Sequence, residues 1–147
     1  MHPGTSTTQS TTVRRRIHAD PTSTALLLAA PSAFELWPGV SRVVDVGGRA
    51  LVEAALASAP HVAATVRALP PRRTPTSYVS RFAWTGEDLP ATTGELTLAF
   101  LPTDDGTLET EATLVLDSTE QLEELPELAA GFLANLARAA ELRSHAA

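Results

Sequence analysis

The spacing of apolar and polar positions is the first signal in this chain. In "TTVRRRIHA", residues 11–19, Val13, Arg15 and Ile17 fall on one side and Arg14, Arg16 and His18 on the other, the period of two of a half-buried strand. Asp20 then precedes Pro21 as N-cap and first helical position, and "PTSTALLLAAP" reads as a short helix stopped by Pro31. "SAFELW" gives a second short helix, with Ser32 and Glu35 at capping-box spacing and Pro38 beyond its end. From there the pattern turns to strands. "SRVVDV" and "RALVEAALA" flank Gly47 and Gly48, a pair that supplies the positive φ angles of a tight primed hairpin turn. "HVAATVRAL" and "TSYVSRFAW" follow, with "PPRRTP" as their connection, and "GELTLAFL" and "TLETEATLVL" are joined through "PTDDG", a turn whose residues tolerate a left-handed backbone. Ser118 and Gln121 have the spacing of another capping box, and Pro126 opens the main helix, "PELAAGFLANLARAAELR". On that helix Leu125, Leu128, Phe132, Leu136 and Ala140 recur every three or four residues as one apolar stripe, while Glu127, Arg138 and Glu141 lie away from it. The pattern predicts an α+β protein: one strand, two short helices, about six strands in meander order, and a long helix covering the sheet.

Length and composition narrow the possibilities. Residues 1–11 are Ser/Thr-rich without apolar periodicity and are expected to form a disordered tail, leaving 12–147 as a single domain large enough for a core without staples. No internal period marks a repeat architecture. With a formal charge of −6, a broad phosphate-binding surface is not expected, and neither is a nucleic-acid partner. The chain has no cysteine, which excludes thiol nucleophiles, thiolate metal ligands and disulfides. Every basic residue is arginine, so no side-chain amine can form a Schiff base. No apolar run approaches the roughly 20 residues of a membrane span, and "MHPGTSTTQSTT" lacks the apolar stretch of a secretory signal, so a cytoplasmic protein without membrane insertion is expected.

Candidate chemistry is sparse. Arg15 shares a face with Val13 and Ile17, and Arg42 with Val44 and Val46, so both are placed inward. A buried guanidinium needs a carboxylate or an anion; the alternative is that both snorkel to solvent. Tyr78, Ser80, Phe82 and Trp84 share one face of their strand. Turned inward, they set two hydroxyls among aromatic walls, the mostly apolar lining of a small-molecule site, although such a tyrosine can equally be packing in a core. His18 is expected on the outer face and His61 at a strand start; both read as exposed bystanders, and His2 and His145 lie in the terminal segments. No spacing of ligands supports a metal, and no phosphate loop or nucleophile elbow occurs, so no cofactor is expected. "EQLEELPE" is read as a solvated acidic face and "PPRR" as a loop pair.

The order of elements resembles the helix-grip fold of the START/Bet v1-like superfamily, often called SRPBCC or polyketide cyclase/dehydratase-like proteins. The resemblance covers residues 12–143. Its local marks are "DPTSTALLLAAPSAFELWPGVSRV", in which two short helices lead to a Trp-Pro and the second strand, then "LPPRR" and "DDGTLETEATL". It implies a curved seven-stranded antiparallel sheet wrapped around the C-terminal helix, with an apolar cavity between them for a lipid, sterol or polyketide. It also implies that cavity Arg, Tyr and Ser residues could orient a poly-β-ketone chain, with or without a carrier protein, and promote cyclisation or dehydration. On that basis Arg15, Tyr78 and Ser80 are the catalytic candidates, and Trp37, Phe82, Trp84, Phe132 and Leu136 the ligand-binding walls. A non-catalytic carrier or sensor of a hydrophobic molecule is the other reading, as monomer or homodimer. Alignment of "DDGTLETEATL" with the family hairpin would turn Glu109 and Glu111 inward; the hydrophobic pattern, with Leu108, Thr110, Ala112 and Leu114 on the opposite face, puts them outside, and the pattern is followed here.

Overall fold

The computed structural model of the protein describes residues 8–29, 31–57, 59–87 and 89–145. Strand β1 (Gln9–Ile17) runs into helix α1 (Pro21–Leu27) and a 3-10 helix (Pro31–Leu36). Six further strands follow: β2 (Val40–Asp45), β3 (Arg49–Ala54), β4 (Val62–Thr74), β5 (Ser77–Gly86), β6 (Leu89–Pro102) and β7 (Leu108–Ser118), and helix α2 (Leu125–His145) ends the chain. Among the described residues, seven strands form one antiparallel sheet in the order β1-β7-β6-β5-β4-β3-β2. From β2 to β7 every strand pairs with its neighbour in sequence, and β1 closes against the last of them. The two helical segments after β1 therefore carry the chain from one sheet edge to the other.

The corner after β1 is fixed locally. Asp20 caps α1, accepting from the Ser23 backbone N–H at 2.8 Å and the Ser23 hydroxyl at 3.0 Å. Buried Thr110 on β7 donates to the Ala19 carbonyl at 2.7 Å, tying that corner to the sheet. α2 lies across the inner face: Leu125, Ala129, Leu133, Leu136 and Ala140 are fully buried, opposite Leu96, Leu98, Ala112, Leu114 and Leu116 of β6 and β7. The apolar stripe read from the sequence is thus one edge of a wider buried face, filled out by alanines.

Several local expectations change. β1 begins at Gln9, so it takes in the last residues of the segment expected as tail; residues 1–7 lie outside the described residues. α1 stops before Pro31, with the Leu28 N–H bonded to the Ala25 carbonyl at 3.0 Å, and "SAFELW" forms a 3-10 turn in place of an α-helix. "PPRRT" is strand, not connection. Pro70 and Pro71, which have no N–H to give a ladder, fall at the register shift between Leu69 and Arg72, where the ladder needs none. Ser118 is the end of β7 and donates to the Glu120 carbonyl at 2.7 Å, so it caps no helix. A second shift, between Val40 and Arg42, reverses the facing of β2: Val43 sits opposite buried Val52 and Asp45 opposite buried Ala50, which turns Arg42 to the outer face and Asp45 inward.

Both hairpin expectations hold at their glycines, with φ of 74° and 89° at Gly47 and Gly48 and 85° at Gly106. In the β6–β7 turn, hydrogen bonds from the Thr103 and Thr107 hydroxyls and the Thr107 backbone N–H hold the Asp105 carboxyl down at about 2, from an ordinary 3.8. A depressed carboxyl stabilises the fold above its unfolded pKa and loses that contribution as the pH falls through the folded one. We expect the Asp105→Asn variant to be less stable than wild type above pH 4 in urea titrations, with the gap between them closing between 3.8 and about 2.

Candidate ligand cavity

Alternation along β5 turns Tyr78, Ser80, Phe82 and Trp84 to the inner face, opposite Leu98, Leu96, Gly94 and Thr92 of β6. A Cβ built on Gly94 would stand 2.2 Å from Phe82 Cζ, so the Phe82 ring lies directly over bare β6 backbone. A fourth ring enters from the other side of the hollow. Trp37, just past the 3-10 helix, stacks on Phe132 of α2 with centroids 4.4 Å apart and planes 22° from parallel. It also meets Trp84 and Phe82 edge to face, at 5.2 and 5.9 Å, while Phe82 and Trp84 stack with centroids 5.8 Å apart. Each such pair contributes about 0.5–1.5 kcal/mol beyond its burial.

Trp37 is held from α2 at three points. Phe132 supplies the stacking surface, the Asn135 side-chain amide donates to the Leu36 carbonyl at 2.7 Å, and Gly131 leaves room for Pro38. That last approach is tight, for a Cβ at Gly131 would lie 2.4 Å from Pro38 Cγ.

The rings border two spaces that share Phe34, Trp37 and Val66 as the wall between them. The larger, about 270 Å³, opens toward the β2–β3 turn between Ala29, Ala33, Ala50, Ala68, Phe82 and Phe132, with Ser80 on its wall and Asp45 and Arg49 at its rim. The Ser80 hydroxyl has no protein hydrogen-bond partner among the described residues, whereas the Asp45 carboxylate accepts from the Gly47 N–H at 3.2 Å. The smaller, about 70 Å³, is lined by apolar side chains throughout, among them Val52, Val62, Trp84, Leu122 and Leu128.

The proposed catalytic trio is not brought together. Tyr78 lines a separate groove with Ala25, Leu26 and Phe100, where the Arg73 guanidinium lies 5.5 Å from its ring centroid. Arg15 sits in the same cross-strand row as Ala112, Leu98 and Tyr78, three strand spacings and so about 14 Å from Tyr78. It is on the inner face of an edge strand and is exposed, which matches the snorkelling alternative and removes it from the cavity. Leu136 is fully buried between α2 and the sheet and lines neither space, so it is core in place of the wall expected of it.

Glu109 takes the outer face, as the hydrophobic pattern required. One of its oxygens receives Arg16 Nε at 2.6 Å and the other lies 3.0 Å from His18 Nδ1. These two partners, His18 foremost, hold the Glu109 carboxyl below its ordinary value, the opposite of what a general base near neutral pH needs. Glu111 is exposed, opposite Arg16 in the ladder, and His61 is also exposed.

Solved structures share this fold over nearly the whole chain. This protein is similar to an aromatase/cyclase from a Streptomyces species, with a TM-score of 0.65 and 14% identity, covering 92% of this chain and 95% of that one. It is also similar to a START superfamily protein from Mycobacterium smegmatis, with a TM-score of 0.60 and 15% identity over 94% and 97% of the two chains. The fold is START-like helix-grip. A Chromobacterium violaceum protein shares this helix-grip fold at 22% identity and a TM-score of 0.60, covering 90% of this chain and 97% of that one. No family model matches the chain, and no curated protein matches it in sequence. Among the described residues no helix is long and apolar enough to cross a membrane.

Within the helix-grip frame, the residues that sequence reasoning missed are the ones that position the rings: Gly131 and Asn135 on α2 for Trp37, and Gly94 on β6 for Phe82. Their signal was present as a glycine inside a helix and another inside a strand, each of which asks for a close neighbour. Gly131→Ala should gain about 1 kcal/mol of helix propensity and lose about 1–3 kcal/mol to overpacking against Pro38. We expect a net fall in stability by urea denaturation; a net rise would mean that Pro38 yields freely.

Proposed function

We propose that the protein binds an apolar, ring-bearing small molecule in the two-part hollow, as a carrier or sensor. The observation that carries this reading is the set of four rings, Trp37, Phe82, Trp84 and Phe132, gathered around open space with one free hydroxyl in the wall. Sparse polar groups in an aromatic lining orient a ligand, whereas proton transfer needs an acid and a base within reach of one point. Of the charged residues that line the larger space, Asp45 is engaged with a turn and Arg81 lies 4.0 Å from the Glu95 carboxylate.

Ala68 provides the test. It faces the larger space from β4, opposite Phe82, and is exposed enough to accept a bigger side chain. Ala68→Phe should weaken binding of the neutral fluorescent probe aminoanthracene by about tenfold or more, the loss of at least 1.4 kcal/mol, while the melting temperature stays within a few degrees. Unchanged probe binding in a folded variant would refute the site.

Cyclisation or dehydration of a polyketide, free or on a carrier protein, is a second reading favoured by the unpartnered Ser80 hydroxyl and by the aromatase/cyclase among the structural neighbours. Ser80 would act as a hydrogen-bond donor to a developing enolate, with the rings holding the chain in a reactive bend. It predicts that wild type consumes a poly-β-ketone thioester and that Ser80→Ala slows this about a hundredfold. No turnover by wild type would leave carriage alone standing.

A further inference from the structure

The smaller space contains an anomaly that a hydrocarbon ligand would not explain. Trp84 is 9% exposed, and its Nε1 is the one buried side-chain nitrogen or oxygen among the described residues without a hydrogen-bond partner. An orphaned donor is costly to keep, and a group that satisfies it recovers that cost. Trp84 lines the smaller space, its Nε1 is closed off within the ring cluster, and the nearest ring to its indole is that of Trp37, edge to face at 5.2 Å. Trp37 is also the partition between the two spaces, so a ligand that spans them must displace part of this contact and take its place beside the Trp84 indole.

We infer that the ligand carries an aprotic oxygen acceptor, a ketone or ester carbonyl, which receives the Trp84 N–H. The inference rests on the binding reading above and narrows it to a chemical class. Indole is a donor only, and the side chains around this space offer no acceptor. A carbonyl oxygen brings only an acceptor and leaves nothing unpaired. An alcohol would bring its own O–H into a wall with nothing to receive it, and a carboxylate would bring a charge without a partner; each carries a desolvation cost that the carbonyl avoids. A pure hydrocarbon leaves the indole as it is.

The experiment uses three matched probes: acetylnaphthalene, the corresponding naphthylethanol and ethylnaphthalene. Trp84→Phe removes the donor and keeps an aromatic ring. We expect the variant to bind the ketone about tenfold more weakly than wild type and to bind the hydrocarbon within about twofold. Should that variant fail to fold, the native protein still decides the matter. It contains two tryptophans, so Trp37→Phe assigns the indole N–H resonances in proton–nitrogen correlation spectra. The Trp84 resonance should then move downfield with the ketone and stay in place with the hydrocarbon, the alcohol giving a smaller shift. Equal losses for ketone and hydrocarbon in Trp84→Phe, or a Trp84 resonance indifferent to the ketone, would overturn the inference while leaving the binding site intact. Failure of all three probes to bind would overturn both.

Discussion

Everything in the inner face of this protein is arranged around one stacking contact, that of Trp37 on Phe132. The ring belongs to a segment that is otherwise a short 3-10 turn and a loop, with little regular hydrogen bonding of its own to fix it. It is held because α2 presents a missing side chain, a flat ring and an amide donor at residues 131, 132 and 135, which meet Pro38, Trp37 and the Leu36 carbonyl in turn. With that clamp in place the indole can meet Phe82 and Trp84 at their edges, and the two sides of the hollow become one cluster.

The clamp also explains why the interior is solid on one side and open on the other. Toward β1, β6 and β7, leucines of the sheet and of α2 pack to complete burial. Toward β2, β3 and β4 the inward positions are small, Ala50, Ala64 and Ala68 among them, and the space they leave is bridged by rings in place of aliphatic side chains. Stiff aromatic groups can span such a gap without collapsing into it, since they hold their shape through few rotatable bonds. Leu136 belongs to the solid half, which is why an apolar stripe alone could not tell a wall of the cavity from a wall of the core.

Much of this was legible in the chain. The period of two placed Tyr78, Ser80, Phe82 and Trp84 on one inner face, and it put Glu109 outside against the contrary suggestion of family alignment. The pair of glycines at 47 and 48 announced its turn, and the helical stripe its buried face. What failed did so for identifiable reasons. A register shift after Val40 turns β2 over, so Val43 faces the core in place of Val44 and Val46, and Arg42, placed inward on the strength of those two valines, lies on the outer face. Pro70 and Pro71 read as a loop because a ladder seemed to exclude them, yet the irregularity at Leu69 accommodates both. Facing alone could not show that Tyr78 and Ser80, two residues apart on one side of a strand, open onto different spaces, nor that Arg15 ends in solvent at the sheet edge. Those outcomes depend on what α1 and α2 lay over each row, which is tertiary and not periodic.

The chain's two tryptophans are both members of this single cluster, within 5.2 Å of one another and flanked by Phe82 and Phe132. Ultraviolet excitation at the indole band therefore lights the hollow and nowhere else in the molecule. Emission wavelength, quenching by acrylamide and exciton coupling between the two chromophores become readings of one internal volume, so the protein carries its own optical gauge of what that volume contains.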